Sequence, residues 1–122
     1  MARTHQRLET WKMAMDLVEL VYRLTENFPP AERFGLSSQM RRAAVAIPSN
    51  IAEGAARAST REYLRYLDIA RSSLVEIETQ LVIARRLRFA ASDATLDHLL
   101  ERLFAHLSAQ IKKLSAKSST AS

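Results

Sequence analysis

Cysteine is absent from this 122-residue chain, and glycine and proline occur only two and three times. Without thiols there is no disulfide, no thiolate nucleophile and no Cys-ligated zinc or iron–sulfur centre. Two isolated glycines cannot build the glycine-rich loop that cradles a phosphate. No apolar run approaches the ~20 residues that a membrane-spanning helix needs, and the first ten residues, MARTHQRLET, lack the apolar core of a signal peptide. The expectation is a cytoplasmic protein with no membrane partner. Sheet-forming runs are missing as well.

What remains is a chain that is 48% hydrophobic and 25% charged, rich in Ala, Leu, Arg and Glu. That composition predicts an all-α globular protein. The length fits one domain, which buries roughly two-thirds of the surface its unfolded form exposes. A net charge of +5 and a pI near 10.1 point to an acidic partner, nucleic acid ahead of an anionic membrane.

Apolar periodicity divides the chain into helices. Leu8, Trp11, Met15, Val18, Tyr22 and Thr25 step by three and four, predicting an amphipathic helix from about Leu8 to Asn27. It ends before Phe28-Pro29-Pro30, because a residue preceding proline is pushed out of helical geometry. A linker to about Gly35 follows. The second helix is predicted from about Leu36 to Arg57, on the stripe Met40, Ala44, Ile47, Ile51 and Ala55. Pro48 interrupts neither the stripe nor its spacing, which predicts a kinked helix rather than two separate ones. Ser49 and Asn50 lie where polar side chains can satisfy the carbonyl that loses its partner. Gly54 costs ~1 kcal/mol relative to alanine in a helix, and close helix packing is the expected compensation.

Ser59-Thr60-Arg61-Glu62 reads as a capping box opening a third helix at about Thr60. Its stripe is Tyr63, Leu67, Ala70, Leu74, Ile77, Leu81 and Ala84, and its end falls near Leu87 or Arg88. Ser92 is the expected cap of a fourth helix with Leu96, Leu100, Leu103, Leu107, Gln110 and Leu114 as its seam. Residues 1–116 form the domain in this reading, and residues 117–122 a disordered, soluble tail. Four helices with short connections imply an antiparallel up-down-up-down four-helix bundle. Apolar residues exceed one stripe per helix: Leu64, Val75 and Val82 lie off the third helix's seam, Ile69, Ile83 and Leu87 further round, and Ala14, Leu17, Val21 and Leu24 form a second row on the first helix. Such surplus faces signal either broad burial in a small bundle or contact with another subunit.

Catalytic patterns are weak. A di-metal bundle needs two Glu-x-x-His motifs, which this chain lacks. His98 and His106 are eight residues apart, roughly 80° around a helix, which suits no two-ligand site. No serine has a histidine beside it in sequence. No metal, cofactor or catalytic residue is expected.

Basic residues are the constellation left. Arg57, the group Arg85, Arg86 and Arg88, and the group Lys112, Lys113 and Lys117 sit at helix C-termini, where the macrodipole favours cations by ~0.3–1 kcal/mol each. Arg41 and Arg42 in the second helix, and Arg61, Arg65 and Arg71 early in the third, have no such explanation. Two readings stand for them: a solvated or salt-bridged face, and a phosphate-binding surface. Glu53 precedes Arg57 by four residues, the favoured orientation for an intrahelical ion pair. Trp11 reads as packing at a bundle end.

The segment Met40 to Gly54, M-R-R-A-A-V-A-I-P-S-N-I-A-E-G, carries a further signal together with F-P-P-A-E-R-F-G-L (Phe28 to Leu36) and Ile69 to Gln80 upstream and downstream. Over roughly Trp11 to Leu87 the chain resembles the small bacterial four-helix-bundle family of ribosomal RNA intervening sequences, which includes the accessory protein of diversity-generating retroelements. Pro48, Asn50, Glu53 and Gly54 fall in its central motif. The resemblance implies a homopentameric ring, and for one branch the support of a reverse transcriptase by binding both protein and nucleic acid. Relatives commonly place glycine where Arg88 stands, which puts the usual left-handed helix cap in question here.

The combined reading is a non-enzymatic oligomeric binding module with Arg41, Arg42, Arg57, Arg61, Arg65 and Arg71 as candidate contacts to RNA or DNA. A partner such as a reverse transcriptase or another nucleic-acid-associated protein fits the same surface. The alternative is a protein-interaction scaffold with no nucleic-acid role.

Overall fold

The computed structural model describes residues 5–121, with side chains described over residues 8–117. Among the described residues there are four α-helices and no strand: α1 (His5–Glu26), α2 (Leu36–Ala55), α3 (Thr60–Arg86) and α4 (Ala94–Ala121), with a 3-10 turn at Pro30–Glu32 between the first two. Each helix packs on its neighbours in the chain, and α1 closes on α4, while the backbones of diagonal pairs stay apart. Leu17, Val21, Met40, Ile47, Leu67, Leu74, Leu103 and Leu107 are fully buried where the four inner faces meet.

Three of the predicted stripes face inward. Every member of the α3 stripe is buried, as are Met40, Ala44, Ile47 and Ile51 on α2 and Leu96, Leu100, Leu103 and Leu107 on α4. On α1 the two rows exchange roles. Ala14, Leu17 and Val21, read as a surplus row, are completely buried, whereas Leu8, Met15 and Tyr22 are exposed. Both rows are apolar and only about one residue's rotation apart, so periodicity alone does not choose between them. Trp11 packs partly buried against the core.

Helix ends follow local chemistry. Ser59 adopts extended backbone and its hydroxyl accepts the Glu62 amide at 3.1 Å, as the capping pattern predicts. The α4 cap is Asp93 rather than Ser92: its Oδ1 accepts the Leu96 amide at 3.1 Å and its carbonyl the Asp97 amide at 3.0 Å. Aspartate caps as well as serine and adds a charge that the helix N-terminus favours. At the end of α3 the left-handed cap is present despite the missing glycine. Arg88 has φ 64°, its amide bonds to the Arg85 carbonyl at 3.1 Å, and the Phe89 amide to that of Ala84 at 2.8 Å. This is the paired bonding of a Schellman end, with Phe89 held against Phe28 at 5.7 Å between ring centroids. The backbone of α4 stays helical through Ala121, across most of the stretch read as a tail; side chains from residue 118 onward lie outside the described residues.

Helix α2 runs unbroken through a buried Pro48. The proline leaves the Ala44 carbonyl without its usual amide. Ser49 and Asn50 do not fill that gap. Ser49 Oγ donates to Val45 O and Asn50 Nδ2 to Ala46 O, both at 2.7 Å. A back-bonding side chain reaches the carbonyl four residues behind it, so these two serve the carbonyls after Ala44.

Candidate nucleic-acid interface

The six candidate arginines fall into three groups: Arg41 and Arg71, each tied separately to a neighbouring helix; Arg57, Arg61 and Arg65; and Arg42, in a cleft that Arg41 walls. Arg41 projects from α2 onto the end of α1, where Nε donates to Thr25 Oγ1 at 2.7 Å and Nη2 to the Tyr22 carbonyl at 3.3 Å. Its guanidinium lies 4.5 Å from the Tyr22 ring centroid. A cation at a helix C-terminus, over an aromatic face, is well placed for structural reasons. Arg71 is also occupied, bonding Ser108 Oγ of α4 and Asp68, each at 3.3 Å.

The second group occupies the α2–α3 corner. Gly54 makes it possible: a Cβ there would meet Tyr66 Cβ at 2.7 Å and Tyr63 Cδ1 at 2.9 Å. Close approach of the two backbones brings Tyr66 under Arg57 and Arg65, both guanidinium carbons lying 5.1 Å from its ring centroid. Arg57 also donates to the Tyr66 hydroxyl at 3.0 Å and to Glu53 Oε2 at 2.6 Å. Glu53 is therefore an exposed surface partner with no need of an interhelical cation. Arg61, one turn before Arg65, is exposed and has no ion pair or hydrogen bond among the described residues. Glu62 and Asp68 do not compensate it, since Asp68 pairs with Arg71 at 3.3 Å.

The third site is a cleft of about 650 Å³ between the end of α1 and the outer face of α2, lined by Tyr22, Arg33, Phe34, Arg41, Arg42 and Val45 among others. Arg42 is exposed and without a partner among the described residues, and Arg33 lies 5.2 Å from the Phe34 ring centroid. Arg33 and Phe34 are functional candidates that periodicity passed over, because they sit in what reads as a linker. The available signal was an arginine–aromatic pair inside a fixed turn. That turn is built by Glu32, whose Oε1 accepts the Leu36 amide at 3.0 Å and supplies the cap that Gly35 cannot. Gly35 leaves the room: a Cβ there would meet Glu32 Oε1 at 2.9 Å.

Other groups do not assemble into chemistry. His98 lines a cleft of about 770 Å³ between α1 and α4 and His106 a separate one of about 310 Å³. Among the described residues no group of three or more His, Cys, Asp or Glu is placed to hold a metal ion. No described helix is long and apolar enough to cross a membrane. Glu78 on α3 has a displaced pKa. Burial raises it, and the nearby Glu101 carboxylate on α4 adds to the rise.

Residues 6–116 match the model of the 23S rRNA-intervening sequence protein family. Among solved structures, a protein of unknown function from the S23 ribosomal protein family of Bacteroides thetaiotaomicron VPI-5482 superimposes with a TM-score of 0.80 at 18% identity, over 88% of this chain and 98% of that one. At that identity the likeness speaks for the fold alone. No curated protein matches the chain.

Proposed function

Because the chain belongs to the 23S rRNA-intervening sequence protein family, we propose that it is a non-enzymatic, cytosolic binding module that works as a ring of identical copies and presents a basic surface to nucleic acid. One observation carries the reading: in a chain of net charge +5, Arg42 and Arg61 have no carboxylate partner, and Arg65 only an aromatic neighbour, among the described residues. Cations without counter-charges on a folded surface are the footprint of a polyanion partner. Several copies around an axis turn a modest patch into a continuous band with steep salt dependence.

The proposed protomer is an up-down-up-down bundle with α2 bent at Pro48. Contacts of Thr10 with Gln110, Arg71 with Ser108 and Arg85 with Asp97 support opposed directions for neighbouring helices. The exposed apolar residues Val75, Val82, Ile69 and Ile83 on α3, with Leu87 at its C-cap, support burial against another copy. The family resemblance favours five copies, and its retroelement accessory branch suggests a reverse transcriptase, or another nucleic-acid-associated protein, as a further partner.

Charge reversal tests the reading. Arg61→Glu with Arg65→Glu is expected to abolish salt-sensitive RNA and DNA retention while leaving sedimentation unchanged. Retention equal to that of the unaltered protein removes these residues from the surface. A protein-interaction scaffold without nucleic-acid binding is the second reading, favoured by the structural employment of Arg41, Arg57 and Arg71. Absence of any polyanion retention at low salt would decide for it.

A further inference from the structure

We propose that the cleft between the end of α1 and α2 is a single-strand subsite, in which an unpaired base stacks on Phe34 and the adjoining phosphates lie against Arg33 and Arg42. The proposal rests on the nucleic-acid reading above and assigns that reading a second, chemically distinct contact.

Phe34 is 87% exposed, more than any other large apolar side chain described. A single exposed apolar residue is ordinary on a protein surface. This one differs in its mounting and its company. The Arg33 amide bonds to Pro30 O at 3.1 Å and the Gly35 amide to Glu32 O at 3.0 Å, on either side of the ring. With Glu32 fastened to the start of α2, the backbone that carries the ring is fixed. The cleft's charged lining is arginine alone: Arg33, Arg41 and Arg42. Glu32, next in sequence, spends its carboxylate on the Leu36 amide. Arg41 is tied to Thr25 and Tyr22 and forms a fixed wall, which leaves the donors of Arg42, without a partner among the described residues, to line the cleft for an occupant.

An occupant matching these features carries several negative charges and at least one flat apolar ring. Nucleic acid has both, and an unpaired base offers its π-face to a protein aromatic without the cost of unstacking a duplex. A duplex can satisfy the arginines but not Phe34. That asymmetry makes the subsite selective for single strands.

The test uses the full chain and fluorescently labelled oligonucleotides, a single-stranded 20-mer and the duplex of the same sequence, titrated over a salt series. Phe34→Ala is expected to weaken single-strand binding about 10-fold, the loss typical of one stacking aromatic, with the salt slope and duplex affinity unchanged. Phe34→Tyr should restore the affinity. Arg42→Ala should weaken both ligands and flatten the salt slope by about one phosphate contact. Unchanged single-strand binding by Phe34→Ala overturns the subsite while the Arg61 and Arg65 surface stands. A changed sedimentation coefficient for Phe34→Ala also overturns it, assigning the ring to contact with a second copy. Failure of the unaltered protein to bind either oligonucleotide at low salt overturns the nucleic-acid reading itself, and this subsite with it.

Discussion

Gly54 shows how one residue without a side chain sets the spacing of two helices. Substituting alanine gains about 1 kcal/mol of helix propensity. The new methyl, however, would sit 2.7 Å from Tyr66 Cβ and 3.3 Å from the Tyr63 carbonyl. Those atoms belong to or adjoin the backbone and cannot swing aside, so α2 and α3 must separate. Overpacking of this kind costs typically about 1–3 kcal/mol. Gly54→Ala is therefore expected to lower the thermal midpoint, measured by circular dichroism, and to disturb the Arg57–Tyr66 contact. Arg88 is the converse case. At φ 64° an L-residue bears a penalty of roughly 1–2 kcal/mol that glycine does not, offset in part by glycine's extra freedom in the unfolded chain. Arg88→Gly is expected to stabilise the fold by up to about 1 kcal/mol in denaturant unfolding. The missing glycine put the cap in question. The cap survives because its two hydrogen bonds and the seating of Phe89 against Phe28 outweigh the strain of one residue.

At the scale of elements, what could be read depended on whether polarity differed around each helix. The seams of α3 and α4 were legible because one row is apolar throughout α3, and throughout α4 but for Gln110. The α1 seam was not, since two apolar rows lie side by side and only tertiary packing selects Leu17 and Val21 over Met15 and Tyr22. The basic patches were legible as residues but not as places. Sequence spacing united Arg61 with Arg65, yet nothing local reveals that Arg33 comes to face Arg42 across a turn. The α3–α4 contact gives a pH-dependent prediction of the same tertiary kind. Glu78 has its pKa raised by burial and then by Glu101, so between its unfolded and folded values the native state holds the extra proton. Stability from this group is greatest at acid pH and declines as pH rises through the folded value. Glu78→Gln is expected to raise the thermal midpoint at neutral pH, with the gain vanishing below the ordinary carboxylate range. A gain that persists in acid would assign the effect to something other than ionisation.

For the whole molecule, the decisive question is what covers the outer face of α3 and α4. Val75 and Val82 are seven residues apart on one side of α3, 45% and 53% exposed, and Phe104 on α4 is 37% exposed. Val75 falls between Arg71 and Glu78 in that row, and Phe104 between Glu101 and Ser108 in the facing one. The Arg71–Ser108 bond and the Glu78–Glu101 approach therefore place these apolar side chains along one groove. A monomer gains little from such a groove, while a second copy laid against it removes apolar surface at roughly 25 cal/mol per Å². Polar replacement of groups this exposed perturbs the isolated fold little, so association can be separated from folding. Val75→Asp with Val82→Asp is expected to retain full helicity yet sediment as a single compact chain where the unaltered protein sediments as an assembly. If the proposed ring binds nucleic acid, affinity should fall in parallel and its salt slope should flatten, because in that ring the cations of several copies release counterions together. Single compact chains from the unaltered protein at working concentrations would sink the ring. Intact assemblies from the double aspartate variant would move the subunit contact to another face.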